Sequence, residues 1–464
     1  MLVSPLRRAS TATINKIHQR IHSRSNHRIN KLMSHLPSPS SSPPPSPSSP
    51  LFSFGLLSDI QYADSDMRYN YSKTEKRQYR NSLKVTQRAI QAFIENNNNL
   101  SDNKPISFII HCGDIIDGIN QTLLTSKENP HETLRALRHV MSVLEGRIYE
   151  ENINDPISLN HQINNHPKWP VYHLIGNHEL YCNDRAHWIQ QFQLTEKAKS
   201  HHHHHKTIKN KTDNKIINNS DNINNKNNND DNDNNDNDEI DCMFPLIKES
   251  ELNRSDQAYY AIEPHPNFTF IFLDSYDISL LSYPPNHPHA MIAKQILDDK
   301  NPNDNKDSPM GLKGLNKRFV KFNGGIGYNQ LLWLNSILKE CQKNNKNVLI
   351  FSHIPFHPSA CSSMALTWNY SDVLNLLMKY KECIKLCIAG HDHDGYEHID
   401  HKLNIQFITV PGIIATEIGD DRFGRVDVYN NRIHVTFSDL PDVDVQWKYN
   451  DSNSSIDNDN VSKV

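Results

Sequence analysis

Apolar residues in this chain cluster in short, mainly apolar runs, separated by stretches where they recur every three or four positions. The runs Leu51–Leu57, Ile106–Ile110, Val171–Ile175, Phe268–Phe272, Val348–Phe351, Ile384–Ile388 and Ile405–Val410 predict β-strands. Stripes at Leu83/Ile90/Ile94, Leu134/Leu137/Met141/Leu144 and Val373/Leu374/Leu377 predict amphipathic helices, the last with Ser371 as its N-cap. Strands alternating with helices on this scale predict an α/β sandwich rather than an all-α or all-β fold. The elements lie in two blocks, about 51–196 and 245–446, and the chemistry described below is divided between them. A single domain over 51–446 with an insertion is expected.

Composition breaks this pattern three times. Residues 1–50 hold no Asp or Glu, carry Arg7, Arg8, Lys16, Arg20, Arg24, Arg28 and Lys31, and end in a Ser/Pro tract from Pro37 to Pro50. Two readings are balanced: a mitochondrial transit peptide, with Ile14, Ile17 and Ile21 on one helical face, or a disordered basic leader. From about 198 to 242 the chain is five histidines, His201 to His205, followed by Asn, Asp and Lys with almost no aromatic residue. Such a segment buries too little apolar surface to offset its chain entropy, and a disordered surface insertion is expected. The tail 447–464 is polar.

The formal net charge of −4 gives no general attraction to nucleic acid or acidic membranes, and neither is an expected partner. No apolar run approaches the roughly 18 residues that span a bilayer. Seven cysteines without regular spacing do not form a disulfide framework, and the CxxxC pair Cys383/Cys387 has no second pair to complete a zinc site. A soluble intracellular protein is expected, cytoplasmic or mitochondrial.

Five predicted strands run directly into polar residues able to hold a metal. They are Ser58-Asp59-Ile60-Gln61, His111-Cys112-Gly113-Asp114-Ile115-Ile116-Asp117-Gly118, Gly176-Asn177-His178-Glu179, Ser352-His353-Ile354-Pro355 and Gly390-His391-Asp392-His393. One Gly-Asp after a strand is ordinary turn chemistry. Five such ends in one chain are not explained by turns, and the carboxyl ends of parallel strands converge on one crevice. Carboxylates, an amide oxygen and imidazoles, with no thiolate, suit Mn²⁺ or Mg²⁺ and less exclusively Zn²⁺ or Fe. Two ions sharing a bridging carboxylate are the expected cofactors.

This motif set resembles that of the calcineurin-like metallophosphoesterase superfamily at every position but one. Gln61 stands where the second histidine of the first motif is usual. With the surrounding DIQYAD and GDIIDG, and with segments 256–279, 323–334 and 353–369, that departure resembles the manganese-dependent ADP-ribose/CDP-alcohol diphosphatase family. The resemblance implies two mixed sheets flanked by helices, αββα. It implies Asp59, Gln61, Asp114 and His393 around one ion, and Asp114, Asn177, His353 and His391 around the other. His178 would face the substrate phosphate as the catalytic residue, while Asp117 and Glu179 would orient the ligands. The implied reaction is metal-assisted hydrolysis of a nucleoside diphosphate derivative, ADP-ribose or a CDP-alcohol of the CDP-choline or CDP-glycerol type. Its products are AMP or CMP and a phosphorylated sugar or alcohol. A phosphodiesterase or phosphoprotein phosphatase on the same site, or an inactive scaffold, are the alternatives. A monomer is expected. Tyr62, Tyr181 and Trp368 are open to two readings, nucleobase stacking or packing.

Overall fold

The computed structural model describes residues 49–447 apart from 71–72, 99–103, 124–131, 153–154, 163–168, 195–239, 241, 249, 251–253 and 282. The basic leader, nearly all of the expected insertion and the tail beyond Trp447 lie outside the described residues. Ile240, inside the expected insertion, is buried in a core cluster, so the chain rejoins the fold before 242.

The first half supplies strands β1 (Phe52–Leu57), β2 (Arg68–Tyr69), β3 (Lys76–Arg77), β4 (Ile106–His111), β5 (Arg147–Asn152), β6 (Asp155–Gln162) and β7 (Val171–His173). The second supplies β8 (Tyr260–His265), β9 (Phe268–Phe272), β10 (Asn347–Phe351), β11 (Ile384–Ala389), β12 (Tyr396–Asp400) and β13 (Ile405–Thr409). Three more close the chain: β14 (Gly424–Val428), β15 (Arg432–Phe437) and β16 (Val443–Gln446). The helices are α1 (Tyr79–Asn98), α2 (Ile119–Leu123), α3 (Glu132–Leu144), α4 (Asn177–Cys182), α5 (Arg185–Gln191), α6 (Pro288–Lys300), α7 (Tyr328–Lys343) and α8 (Tyr370–Lys379).

Two six-stranded sheets result, ordered β16-β15-β14-β1-β4-β7 and β12-β13-β11-β10-β9-β8. In the first, β1, β4 and β7 are parallel, and β14, β15 and β16 pair antiparallel. In the second, β9, β10, β11 and β13 are parallel between antiparallel edges β8 and β12.

Side-chain alternation explains the layers. Leu349 and Phe351 of β10 face the core between the sheets, while Val348 and Ile350 face a second core with Leu334 and Leu338 of α7 and Val373 and Leu377 of α8. A strand covered on both faces is apolar throughout. Between the sheets Phe54 stacks on Phe108 at 5.3 Å and meets Phe270 edge-on at 5.4 Å. On the outer face of the first sheet, Gly55 lets Phe93 of α1 lie against β1. The layers are αββα.

One expected cap is displaced. Helix α8 begins at Tyr370, so Ser371 lies in its first turn and Asn369 is the N-cap residue. The Asn369 side chain instead accepts from Ile326 N–H (3.0 Å) and donates to its carbonyl (2.8 Å), tying the α8 entry to the segment before α7. All seven cysteines are free. Among the described residues no helix is long and apolar enough to cross a membrane.

Candidate metal centre

The parallel strands of both sheets deliver their carboxyl ends to one crevice. The chain turns there by adopting left-handed backbone at Asp59 (φ 50°), Gln61 (φ 42°), Asp114 (φ 60°) and His391 (φ 67°). For residues with a side chain this conformation is strained, and such strain concentrates at functional sites. Gly113 (φ 100°) absorbs the tightest of these turns, just before Asp114. Gly176 serves by absence: a Cβ there would collide with Asp114 Oδ1.

Asp114 is the meeting point. Its Oδ1 accepts from the His178 amide at 2.8 Å. Its Oδ2 lies 2.9 Å from Gln61 Nε2 and 3.5 Å from His353 Nε2. On one side stand Asp59 and His393, with His393 Nε2 3.4 Å from Asp59 Oδ1. On the other, Asn177 Oδ1 is 3.4 Å from His353 Nε2, and donor atoms of Asp114, His353 and His391 all lie within 4.8 Å of one another. Asp59 joins the two sheets, its Oδ2 accepting from the His391 amide at 3.0 Å. All seven expected ligands therefore line one crevice. Gln61 presents its nitrogen to it, with Oε1 accepting from Arg77 at 2.9 Å. An oxygen donor from Gln61 requires the amide to turn over.

The three other expected residues stand behind or beside this group. His178 is 3.9 Å from Asp114 Oδ2 through Nε2, and its Nδ1 accepts from Gly118 N–H at 2.9 Å. Asp117 Oδ2 lies 3.1 Å from that Nδ1 and accepts from Arg77 at 3.1 Å, so Asp117 contacts His178. Glu179 is wholly buried and accepts from the amides of Asp114 (2.9 Å), Ile115 (2.5 Å) and Gly176 (2.6 Å), clamping the ends of β4 and β7 together. Burial, then repulsion from Asp114, pushes its carboxyl up to about 8 despite those donors.

Electrostatics favour cations in the crevice. Burial alone would raise the Asp59 and Asp114 carboxyls, but His393 beside the first and His353 and His178 beside the second hold both below the usual range. Against its own burial, His353 is lifted by Asp114 to about 9, and His393 by Asp59 and Glu75 to about 10. His391, buried and next to His353, falls to about 3. Two imidazolium charges thus balance buried carboxylates where divalent cations would do so more fully. The second ring nitrogens are already committed: His353 Nδ1 donates to the Cys112 carbonyl (2.7 Å) and His391 Nε2 to Asn323 Oδ1 (2.8 Å). The donor set fits two hard divalent ions.

A cavity of about 690 Å³ opens over the crevice, and Arg77 is the one Lys or Arg among its described lining residues. Arg77 NH1 also stands 3.3 Å from His178 Nε2, and its buried Nε–H has no partner. Nothing in the sequence pattern singled out Arg77, Glu75, Asn323 or Tyr276, whose hydroxyl donates to Asn177 Oδ1 at 3.1 Å. The last two do fall inside segments that carried the family resemblance. Of the three aromatic residues left open, Tyr181 lines the cavity. Tyr62 and Trp368 are core residues, 2% and 0% exposed, which removes them as stacking candidates.

Comparison with known proteins agrees with this geometry. The family described as calcineurin-like phosphoesterase matches residues 52–395. A protein of Arabidopsis thaliana named manganese-dependent ADP-ribose/CDP-alcohol diphosphatase is 31% identical over 393 residues, 84% of this chain and 95% of its own. One of the same name from Xenopus tropicalis is 32% identical over 388 residues, 83% of this chain and 90% of its own. The crystal structure of a dimetal phosphatase from Danio rerio superposes with a TM-score of 0.63 at 26% identity, over 86% of this chain and all of that one. The chain belongs to the calcineurin-like phosphoesterase family and, within it, to the family of the manganese-dependent ADP-ribose/CDP-alcohol diphosphatases.

Proposed function

We propose that this protein hydrolyses the diphosphate bond of ADP-ribose and CDP-alcohols with two divalent ions, Mn²⁺ before Mg²⁺, releasing AMP or CMP and a phosphorylated sugar or alcohol. The observation that carries this reading is Asp114 lying between two groups of oxygen and nitrogen donors at the floor of the cavity. Asp59, Gln61, Asp114 and His393 would hold one ion; Asp114, Asn177, His353 and His391 would hold the other. The chemistry such a pair supplies when bound is charge to offset the phosphoryl oxygens and acidity for the attacking water.

The protein's own groups do the rest. Arg77 brings a positive charge to the diphosphate in a cavity whose other charged lining residues include the acidic Glu75, Asp307, Asp392 and Asp394. Planar, permanently charged guanidinium suits that task better than an ammonium group. His178 has Nδ1 against the Gly118 amide and the Asp117 carboxylate, and Nε2 is the nitrogen nearer Asp114 and Arg77. From there it donates to a phosphoryl or leaving oxygen. Asp117 contacts both Arg77 and His178, and Glu179 keeps Asp114 and Asn177 at a fixed separation. Tyr181 stands on the cavity wall with Tyr69, Tyr79 and Phe322, the aromatic side chains available to the nucleoside.

The test is a substrate panel on metal-stripped protein, resupplied with Mn²⁺ or Mg²⁺ separately, with products identified. AMP from ADP-ribose and CMP from CDP-choline, both dependent on added metal, are expected. Hydrolysis confined to cyclic nucleotides or phosphoproteins would overturn the reading.

A further inference from the structure

The three histidines around Asp114 differ in what holds their second ring nitrogen. His353 uses a backbone carbonyl at a strand end, and His391 uses Asn323, a fully buried amide that itself donates to the carbonyls of Arg318 and Met364. His393 Nδ1 instead meets a charged side chain, the carboxylate of Glu75, at 3.0 and 3.2 Å to its two oxygens. Glu75 belongs to none of the motifs at the strand ends. It precedes β3 in the small β2–β3 hairpin, and its carboxylate reaches His393 from more than three hundred residues away in sequence.

We propose that Glu75 is a positioning residue for His393, and that the β2–β3 hairpin thereby forms part of the metal site. The proposal rests on the reading of His393 as a metal donor. With the His393 Nδ1–H donated to Glu75, the Nε2 lone pair is aimed at Asp59 and Gln61, where the first ion would sit. A carboxylate in this place fixes the ring's tautomer and angle and raises its donor strength. Extended chain sends alternate side chains to opposite sides, so Glu75 and Arg77 both face the crevice. Lys76 between them points away, to Glu417 at 3.0 Å.

The backbone around Glu75 is braced for the purpose. Asn70 N–H donates to the Glu75 carbonyl at 2.9 Å, and Asn70 Oδ1 accepts from Thr74 N–H at 2.9 Å. Just beyond Arg77, Gln78 N–H donates to the Ile414 carbonyl at 2.8 Å, and Ile414 N–H in turn donates to the Asp59 carbonyl at 2.9 Å. One side of the hairpin is thus tied to the backbone that carries a ligand. Its crevice face presents one residue to the metal side, Glu75, and one to the substrate side, Arg77.

The experiment is Mn²⁺ titration of the metal-stripped, full-length protein by calorimetry, with bound ions counted per chain, for wild type, Glu75→Ala, Glu75→Gln and His393→Ala. Glu75→Ala should weaken one of the two ions by about 10–100-fold and leave the other unchanged. Glu75→Gln keeps an acceptor for Nδ1–H and should recover part of that loss; being isosteric, it also covers the case in which the alanine variant folds poorly. At saturating Mn²⁺ both variants should regain most of kcat, with substrate KM within about threefold of wild type. Wild-type Mn²⁺ affinity in both Glu75 variants would overturn the proposal. So would a raised KM with metal binding intact, which would make Glu75 a substrate contact. Wild-type affinity in His393→Ala would overturn it at its root, by removing His393 from the ligand set.

Discussion

Asp114 faces Gln61 and His353 through one carboxylate oxygen and the His178 amide through the other. Replacing it by Asn puts an NH₂ group where one oxygen stands and removes the charge that both donor groups share. Charge stabilisation and water activation fail together, terms that can each amount to several kcal/mol. Asp114→Asn should lower kcat/KM by about 10³-fold or more, with fewer ions bound per chain, and should exceed the loss in Gln61→Ala. An equal loss in the two would deny Asp114 its bridging place. The imidazoles give a second prediction. In the metal-free protein His353 and His393 titrate near 9 and 10, both raised, so both are protonated at pH 7. A metal takes only the neutral ring, so loading must displace these protons and apparent Mn²⁺ affinity must climb as pH rises toward those values. At pH 7, calorimetry in buffers of different ionisation enthalpy should show up to two protons released per chain. No release would mean that neither ring gives up a proton to metal, against their protonated state at pH 7.

At the scale of elements, the strand–helix contact at Gly55 is a sensitive joint. A Cβ on Gly55 would lie 2.6 Å from the Phe93 ring, which is fully buried under α1. Gly55→Ala must push α1 off the sheet or force Phe93 from its rotamer, at a cost of about 1–3 kcal/mol. The denaturation midpoint should fall with an unchanged m-value. Activity well below the transition should hold, because Asp59 is anchored separately, through Ile414 and Gly113 backbone bonds. A variant as stable as wild type would show that the contact is slack. The same scale explains which strands could be read from the sequence. β9, β10, β11 and β13 are covered on both faces and show as mainly apolar runs. β15 alternates buried with more open positions, β12 holds no buried residue, and β8 loses its cover toward its end, so their runs are too broken to register.

For the whole molecule, the strands of both halves share the first sheet, and all the gathered site residues come from the described core. Neither residues 1–50 nor residues 200–240 supply one. Deleting the first segment, or replacing 200–239, short of the core residue Ile240, by a Gly/Ser linker, should leave Mn²⁺-dependent hydrolysis within a few-fold. A large loss in a well-folded deletion would show an unrecognised contribution. The leader can be tested apart from catalysis by fusing residues 1–50 to a fluorescent reporter: mitochondrial import supports the transit reading, and a diffuse signal removes it.

Much of the site is legible because metal chemistry is local in sequence. The expected ligands are carboxylates, amides and imidazoles placed just after strands whose ends reach the crevice, so Asp59, Asp114, Asn177, His353, His391 and His393 each stand beside a mainly apolar run. The order of those motifs was enough to indicate the family. Other features depend on what is close in space but remote along the chain. Arg77 sits in a two-residue strand with no apolar signature and Glu75 just before it, and only the folded hairpin brings one to His178 and the other to His393. Asn323 and Tyr276 lie in segments that marked the family, yet their hold on His391 and Asn177 is set by the packing of the second sheet against the first. Tyr62 and Trp368 are aromatic residues next to site motifs, and sequence cannot separate a ring that lines a cavity from one that fills a core. Residue type and strand position determine which groups can bind a metal; the packing of two sheets decides which neighbours aim them.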